Sequence, residues 1–343
     1  MTLRAALRDQ ATSCEHLGSP FNARLLRLIA DRLEPGGVIA DRLLDWPGDI
    51  SSRGHSVPLR LAGSLHGLVI EGEAPELAAC YPPHDASDDA LWAAVKSAME
   101  DHTERLGQWL DRPPQTNETA RSAVLIAAGH WLADHYDLPF VLSELGASAG
   151  LNLFWDRYAL NLPGRRLGPI DAVLTLSPDW DGPLPPNASP RVAERRGTDL
   201  TPLDPTSPDD RQRLCAYIWP DQSDRLSRTQ AALAAATPVV DAADAADWLD
   251  QRLADPRPGH LHLIYHTIAW QYFPEPVKAR ARAAIEAAGQ RATKAAPVAW
   301  LGMEADSDSP GAGMTLRLWP EDRTVTLGRV DFHGRWLRWS PHG

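Results

Sequence analysis

The sequence predicts an α/β fold, in which a helical N-terminal domain precedes a mostly parallel sheet with an antiparallel C-terminal hairpin. Three observations support this fold class. Apolar residues recur at helical spacing from residue 1 to about 136. After Asp137 the pattern changes to short apolar runs separated by helical stretches, which is typical of a parallel sheet covered by helices. Two alternating runs near the C-terminus flank Pro320–Arg323, as in a hairpin. We therefore expect domains at 1–136 and 137–343.

The helical periodicity of the first domain is carried by three apolar groups, at Leu25–Leu33, Leu91–Met99 and Val124–Trp131. The segment Leu59–Ile70 contains two glycines, which weaken the expectation of either a helix or a strand. It stays unassigned.

Five apolar runs are the candidate parallel strands: Phe140–Leu145, Val192–Asp199, Thr237–Asp241, His260–His266 and Pro297–Met303. The expected helices between them are Ala149–Tyr158, 209–236 with a break near Pro220, Ala242–Leu253 and Pro276–Gln290. The expected hairpin strands are Met314–Trp319 and Thr324–Phe332.

The composition limits the classes of partner. The 343 residues carry 45 acidic against 34 basic side chains, a net charge of -11, which disfavours binding to nucleic acid or an anionic membrane. A small-molecule substrate fits better. The stretch Ala120–Leu142 is apolar but interrupted by charged residues, so we expect no membrane span. Three distant cysteines, without metal-ligand spacing, and a charged N-terminus indicate a reducing cytoplasm and no metal site. The oligomeric state stays open.

The segment 140–152 carries the functional prediction. An apolar strand ends with Glu144 and is followed by the turn Gly146-Ala147-Ser148-Ala149-Gly150. A glycine turn between a strand and a helix lets a ligand approach backbone N–H groups, and a neighbouring acid can hold a polar or cationic group. The same five residues spell the Gly-x-Ser-x-Gly elbow of serine hydrolases. A tight turn without any ligand is the third interpretation.

Position favours the cofactor turn over the elbow. An elbow serine lies deep in its sheet, after several strand–helix units, whereas a cofactor turn follows the first strand. Here only helices precede the turn. The hydrolase interpretation retains Asp331 and His333, which come late enough to complete a chain order of serine, acid and histidine with Ser148.

The series of strands resembles the class I S-adenosylmethionine-dependent methyltransferase fold, which is Rossmann-like. In that family the first strand ends acid-x-Gly-x-Gly-x-Gly, and serine replaces the middle glycine here. The resemblance implies that Gly146, Ala147, Ser148 and Gly150 hold the amino acid part of the cofactor and that Glu144 orients it. Gly197–Pro202 resembles the end of the family's second strand, which implies that Asp199 binds the ribose. Its 49-residue distance from Gly150 exceeds the roughly 20 of a compact unit, so residues 161–191 are expected to form an insertion.

Further candidate site residues follow the later strands. The resemblance implies a nucleoside contact for Asp241, although Asp241 and Asp244 are also suited to cap a helix. His266, at the end of the fourth run, is the candidate base, and Trp270 and Tyr272 are candidates to enclose a sulfonium and its acceptor. For His266 and the aromatic residues, structural packing is an equally weighted alternative.

A polar cluster at 115–122 opens the apolar helix that leads into the glycine turn. Gln115, Glu118 and Arg121 are the candidates for contacts to the acceptor. Helix capping explains Asn117 and Glu118 without any ligand.

Three strings, Gln115–Glu118, Glu144–Leu153 with Asp156–Tyr158, and Asp331–Gly334, resemble a bacterial family known as a domain of unknown function. That resemblance covers nearly the whole chain. It implies a methyltransferase-like sheet, but it does not imply a reaction. We therefore expect an S-adenosylmethionine-dependent methyltransferase that acts on a small molecule, with its status as an enzyme left open. The alternatives are an esterase-like hydrolase that uses Ser148 and a non-catalytic binder of a small molecule or nucleotide.

Overall fold

The fold is that of a computed structural model, which describes residues 1–52 and 54–343. The α-helices are α1 (Leu3–His16), α2 (Pro20–Arg32), α3 (Val38–Leu44), α4 (Val57–Glu71), α5 (Pro75–Ala78), α6 (Asp88–Asp101), α7 (Thr103–Leu110), α8 (Ser122–Tyr136), α9 (Pro208–Ala216), α10 (Ser223–Ala235), α11 (Ala245–Arg252) and α12 (Glu275–Gln290). The strands are β1 (Phe140–Leu145), β2 (Ala159–Leu162), β3 (Arg165–Leu167), β4 (Thr175–Leu176), β5 (Asp179–Asp181), β6 (Val192–Asp199), β7 (Val240–Ala242), β8 (Leu261–Thr267), β9 (Val298–Glu304), β10 (Ala312–Trp319), β11 (Arg323–Val330) and β12 (Trp336–His342).

The chain divides into two compact units. The first comprises Met1–Thr116 and Pro208–Gln230, and the second comprises Asn117–Ser207 and Ala231–Gly343. This division differs from the expected boundary after residue 136, because α8 belongs to the second unit and α9 to the first. Helical periodicity identifies a helix, but it does not say which core the helix joins.

The first unit is helical, and its core is built from leucines that several helices contribute. Examples are Leu7 on α1, Leu25 on α2, Leu61 on α4, Leu91 on α6 and Leu106 on α7. Side-chain hydroxyls begin three of these helices: Thr2 accepts from Ala5 N, Ser19 accepts from Asn22 N, and Ser87 accepts from Ala90 N.

The segment left unassigned in the sequence is α4. Its two glycines make room for aromatic rings of the same unit. A Cβ atom at Gly63 would overlap the ring of Tyr217, and one at Gly67 would come within 2.9 Å of the Trp109 ring. Close packing therefore accounts for two glycines that a helix would otherwise disfavour.

The second unit contains a nine-stranded sheet in the order β5-β12-β11-β10-β9-β8-β1-β6-β7. The five strands from β7 to β9 pair in parallel, and β10, β11 and β12 pair in an antiparallel manner. The expected fold class is thus confirmed as α/β with a mostly parallel sheet and an antiparallel C-terminal hairpin.

Burial explains why these strands were visible in the sequence. Every residue of β1 and of β8 is buried, as expected for central strands of a parallel sheet with both faces covered. The hairpin strand β10 instead alternates, with Met314, Leu316 and Leu318 buried and Thr315 exposed.

One predicted helix is wrong. Residues 149–158 do not form an α-helix; a 3₁₀ helix spans Leu151–Arg157, and β2 follows it. Leu151, Leu153, Phe154 and Trp155 are all buried, so the segment lacks the solvated face of a surface helix. The backbone of Phe154 is not helical, with φ -102° and ψ 18°. The expected insertion contains β3, β4 and β5, and β2 with β3 and β4 forms a small second sheet.

The parallel strands have a topological switch point. In space they follow the order third, second, first, fourth, fifth, so the chain leaves β1 towards β6 on one side and reaches β8 on the other. Open α/β sheets bind ligands in the crevice outside the carboxyl ends of such strands. Here the switch point lies at the carboxyl ends of β1 and β8, marked by Leu145 and Thr267.

Candidate functional site

The glycine turn after β1 donates its amides within the chain. Gly146 N and Ala147 N donate to Thr198 O at 2.9 and 3.0 Å, and Ser148 N donates to Asp199 Oδ2 at 2.9 Å. The amides that were expected to hold a cofactor are therefore already satisfied by the end of β6. These hydrogen bonds fix the turn to that strand.

The end of the turn is held in the same way. Leu151 N donates to Asn117 Oδ1 at 2.9 Å, and Gly150 N donates to Ala147 O at 2.7 Å. A Cβ atom at Gly150 would come within 2.8 Å of Val240. Asn117 was expected to cap the helix that follows it; instead it caps the 3₁₀ helix after the glycine turn.

Glu144 lies at the carboxyl end of β1 and is only 2% exposed. Its Oε2 atom has no hydrogen-bond partner within the described residues 1–52 and 54–343. Burial raises the pKa of Glu144 well above its ordinary value; Asp199 adds to this effect, whereas the charge of Arg121 opposes it. The site thus contains a buried carboxyl group whose protonated form is favoured.

Ser148 lies in the left-handed region of backbone conformation, with φ 54°, which is uncommon for a residue other than glycine. The side chain is buried, and its Oγ atom has no hydrogen-bond partner in the described part of the chain. A sharp, strained turn at a serine agrees with the elbow geometry. A base in contact with this hydroxyl, which a catalytic triad requires, is absent among these residues.

His266 is buried in β8, and both of its ring nitrogens are engaged. Trp300 Nε1 donates to His266 Nε2 at 3.1 Å, so Nδ1 carries the hydrogen and donates to Glu304 Oε1 at 2.7 Å. Both ring nitrogens are thus engaged within the chain. The role of His266 as a base stays a prediction.

Glu304 organises the segment after β8. Its Oε1 atom also accepts from Ala269 N and Trp270 N, both at 3.0 Å. Burial raises the pKa of Glu304, but the hydrogen bonds from His266 and from these two amides outweigh it and hold the pKa below its ordinary value. The carboxylate thus fixes the backbone that borders the switch point.

The two aromatic residues that were expected to enclose the sulfonium differ in their surroundings: one is packed and the other is exposed. Trp270 stacks on His266 with ring centroids 4.9 Å apart and also contacts Trp300 and Phe273. Tyr272 is 70% exposed. Of the two predicted residues, Trp270 belongs to the cluster around His266, and Tyr272 faces solvent.

Arg121 joins the start of α8 to two other segments of the second unit. Its Nη1 donates to Thr267 O at the end of β8, and its Nε donates to Phe332 O, each at 3.0 Å. The loop at Phe332 is in turn held by Asp331, which accepts from His333 N and from the Arg335 side chain. Two backbone carbonyls therefore hold Arg121 at the switch point, and its contact with an acceptor stays a prediction.

The remaining predicted residues have identifiable partners or positions. Asp199 accepts from Thr201 N as well as from the turn. Asp241 forms two hydrogen bonds with Arg196 and accepts from Trp248 Nε1 at 2.9 Å. Glu118 caps the short 3₁₀ helix Thr119–Arg121 through Ala120 N, and Asp244 caps α11 as predicted.

Gln115 belongs to the first unit, whereas the other predicted site residues belong to the second. No group of three metal-binding side chains occurs among the residues that the structure describes. Within the same residues, every helix is too short or too polar to cross a membrane.

Residues 4–339 match a family described as "Uncharacterized protein conserved in bacteria (DUF2332)". The chain belongs to this family. No curated protein and no solved structure matches the sequence. The suspected membership of a bacterial family of unknown function is thus confirmed.

Two residues of this DUF2332 protein were missed in the sequence, Glu304 and Trp300, both on β9. Each binds one nitrogen of His266. Glu304 is the last residue of its strand, and polar side chains at the carboxyl ends of parallel strands are the ones that reach a switch point. That rule, applied to the fifth run, would have identified it.

Proposed function

We propose that the second unit is an S-adenosylmethionine-dependent methyltransferase that acts on a small molecule at the switch point. The observation that carries the proposal is the Glu144 carboxyl group, which is buried there with one oxygen atom unpartnered among the described residues. A buried carboxyl group becomes favourable as a carboxylate when a cation lies against it. S-adenosylmethionine carries an ammonium and a sulfonium group, and so it supplies such a cation.

The neighbouring residues fit this cofactor through side chains. Because the turn amides donate elsewhere, the contacts fall to Glu144 Oε2 and Ser148 Oγ, two buried atoms without a partner in the described chain. Asp199 accepts two amide hydrogens, and a carboxylate offers about four acceptor positions, so it can still receive the ribose hydroxyls. Asp241 has three of these positions occupied, and the proposal does not depend on it.

The cofactor would supply an electrophilic methyl group, whose bond to sulfur breaks, with the electron pair left on sulfur, as the bond to the acceptor forms. The chain itself binds and orients. Glu144 provides the compensating charge, and Arg121 holds the end of β8 against the loop at Phe332. Because both ring nitrogens of His266 have partners within the chain, the proposal favours acceptors that already have a free lone pair at neutral pH.

Calorimetry with S-adenosylmethionine and S-adenosylhomocysteine tests the proposal. Glu144→Gln removes the charge but keeps the shape, and a charged hydrogen bond contributes about 1.5–3 kcal/mol. We therefore expect the affinity for S-adenosylmethionine to fall about tenfold or more. Asp247→Asn, at an exposed carboxylate on α11, is the matched control and should bind as the wild type does. Absence of binding by the folded wild type at millimolar cofactor would contradict the proposal.

A second measurement separates an enzyme from a binder. The wild-type protein is incubated with methyl-labelled S-adenosylmethionine and a small-molecule extract, and labelled products are separated by chromatography. Labelled product that is lost in Glu144→Gln supports catalysis. Tight binding without any product indicates a non-catalytic binder on the same sheet.

The strained Ser148 favours a second candidate function, an esterase-like hydrolase. A fluorophosphonate probe should then label the wild type and not Ser148→Ala. Such labelling, together with a lack of cofactor binding, would replace the methyltransferase proposal with a hydrolase.

A further inference from the structure

We infer that the first unit contains a separate binding site for a small oxyanion, such as a phosphate, sulfate or carboxylate group. The site is a cluster of three side chains: Arg60 on α4, Arg213 on α9, and Tyr217, which directly follows α9. These residues are 8%, 9% and 5% exposed, so two guanidinium groups are buried together.

Both arginines are held in place by neutral groups. Arg60 donates to the carbonyl oxygens of His55 and Leu110, at 2.6 and 2.8 Å, and Arg213 donates to Pro113 O at 2.9 Å. Within residues 1–52 and 54–343, neither guanidinium contacts a carboxylate. Burying a charge without an opposite charge is costly, and the cluster buries two.

The nearby charges do not compensate for this excess. Burial lowers the pKa of both arginines, and Arg60 and Arg213 lie within electrostatic range of Tyr217. Among the charges that act most strongly on the pair, those of Arg42 and Arg112 are positive and those of Asp111 and Asp210 are negative, so these four cancel. Asp111 is itself bound by Arg42 at 2.5 Å. Two positive charges therefore remain.

The cluster also presents buried donors. Arg213 Nε and the Tyr217 hydroxyl have no well-formed hydrogen bond in the described part of the chain. The two side chains lie within reach of each other, so the Tyr217 oxygen can accept from Arg213 while its O–H remains to donate. Burial raises the pKa of Tyr217 although both arginines oppose the effect, so the hydroxyl stays neutral and can donate. A guanidinium N–H and a phenol O–H beside excess positive charge match the oxygen atoms of an oxyanion.

The position of the hydroxyl is fixed by packing. The Tyr217 ring lies against Gly63 of α4, where any Cβ atom would overlap it, and against the Trp109 ring, with centroids 6.0 Å apart. A rigid donor costs little entropy to bring to a ligand. The donors are thus preorganised rather than carried on mobile surface chains.

Thermal unfolding of the full chain tests the site. The Tm is measured in chloride, phosphate, sulfate and acetate at equal ionic strength and pH. A ligand that binds only the folded protein raises its stability with concentration. Phosphate and sulfate also stabilise proteins generally, so the specific effect is the difference between the wild type and Tyr217→Phe, which lacks one oxygen atom.

We expect at least one oxyanion to raise the Tm of the wild type more than that of Tyr217→Phe and Arg213→Gln. The oxyanion that does so identifies the ligand class: a response to acetate indicates a carboxylate, and a response to phosphate or sulfate indicates a tetrahedral group. Tyr81→Phe is the control, because the Tyr81 hydroxyl is also buried and unpartnered among the described residues of this unit. It should respond as the wild type does.

If the wild type and Tyr217→Phe respond equally to every anion, the site does not exist. Should Arg213→Gln fail to fold, the comparison of Tyr217→Phe with Tyr81→Phe still decides. Isothermal titration with the responding anion then gives the affinity, which we expect Tyr217→Phe to weaken about tenfold, as the loss of one hydrogen bond to a charged group implies.

Discussion

Glu144 combines a buried position with an ionisable group, and this has a cost in stability. The pKa of Glu144 is raised by burial, so above pH 4.5 the unfolded chain loses its proton before the folded protein does. Folding stability therefore falls as the pH rises through this range. Strongly shifted pKa values cluster at functional sites, which is why Glu144 is central to the proposed function.

We accordingly expect Glu144→Gln, which cannot ionise, to be more stable than the wild type at pH 8. The gain should be about 1.4 kcal/mol for each unit by which burial raises the pKa, and it should be small at pH 5. Urea unfolding at both pH values measures it, with the exposed Asp247→Asn as control. A gain that does not grow between pH 5 and pH 8 contradicts the assignment.

Glu304 is the opposite case, because its pKa is lowered by three hydrogen bonds that outweigh burial. The stability that Glu304 contributes to the folded protein is fully present above its ordinary pKa of 4.5, and it is lost as the pH falls through the pKa of the folded protein. We expect Glu304→Gln to reduce the free energy of unfolding at pH 7 by roughly 2 kcal/mol. Urea titrations should show that this difference narrows on acidification to pH 4; a constant difference would indicate that the charge is irrelevant.

At the scale of elements, burial on both faces determines what the sequence can predict. The strands β1, β6 and β8 are located correctly, because their runs are bounded and, in β1 and β8, mostly apolar and buried at every residue. The helix expected after the glycine turn is wrong for the same reason: all residues of Leu151–Trp155, including Asn152, are buried, and a segment without an exposed face does not reveal its period.

Close contacts between elements also explain individual glycines. Gly129 of α8 faces Trp155, and a Cβ atom there would overlap the indole ring. Gly107 of α7 has only Arg42 nearby, at 3.7 Å from the corresponding Cβ position. The two positions form a matched pair, since both lie inside helices.

We expect Gly129→Ala to destabilise the protein by about 1–3 kcal/mol through overpacking. Gly107→Ala should instead stabilise its helix by roughly 0.5–1 kcal/mol, because alanine loses less backbone entropy. Denaturant unfolding of both variants checks the pair. Equal effects of the two substitutions would mean that helix propensity, and not the Trp155 contact, governs position 129.

At the scale of the whole molecule, the sequence indicated the α/β class but not the division of the chain. Pro208–Gln230 lies between β6 and β7 in sequence, yet it belongs to the first unit. Its contacts, such as Tyr217 with Gly63, join residues more than a hundred positions apart, and no local pattern records them. For the same reason the sequence identified His266 but not Trp300 and Glu304, which occupy its nitrogens from β9.

Three buried histidines make both units sensitive to acid. Burial lowers the pKa of His66 and His130 to about 4 and that of His262 to about 3. As the pH falls below 6.5 the unfolded chain takes up these protons first, so the stabilisation is complete above pH 6.5 and is lost towards pH 4. Protonation of Glu144 favours the folded protein as the pH falls, because burial raises its pKa. This single group compensates for the effect of only one of the three histidines.

We therefore expect the urea midpoint to fall steadily from pH 7 to pH 5. Each of these histidines lowers the free energy of unfolding by up to about 1.4 kcal/mol for each unit by which the pH falls. His262→Gln should therefore reduce the slope of unfolding free energy against pH by about that amount in the second unit. His84→Gln, at an exposed histidine, should leave it unchanged. A midpoint that stays constant over this range would show that these imidazoles become protonated without unfolding, and that their surroundings admit the charge.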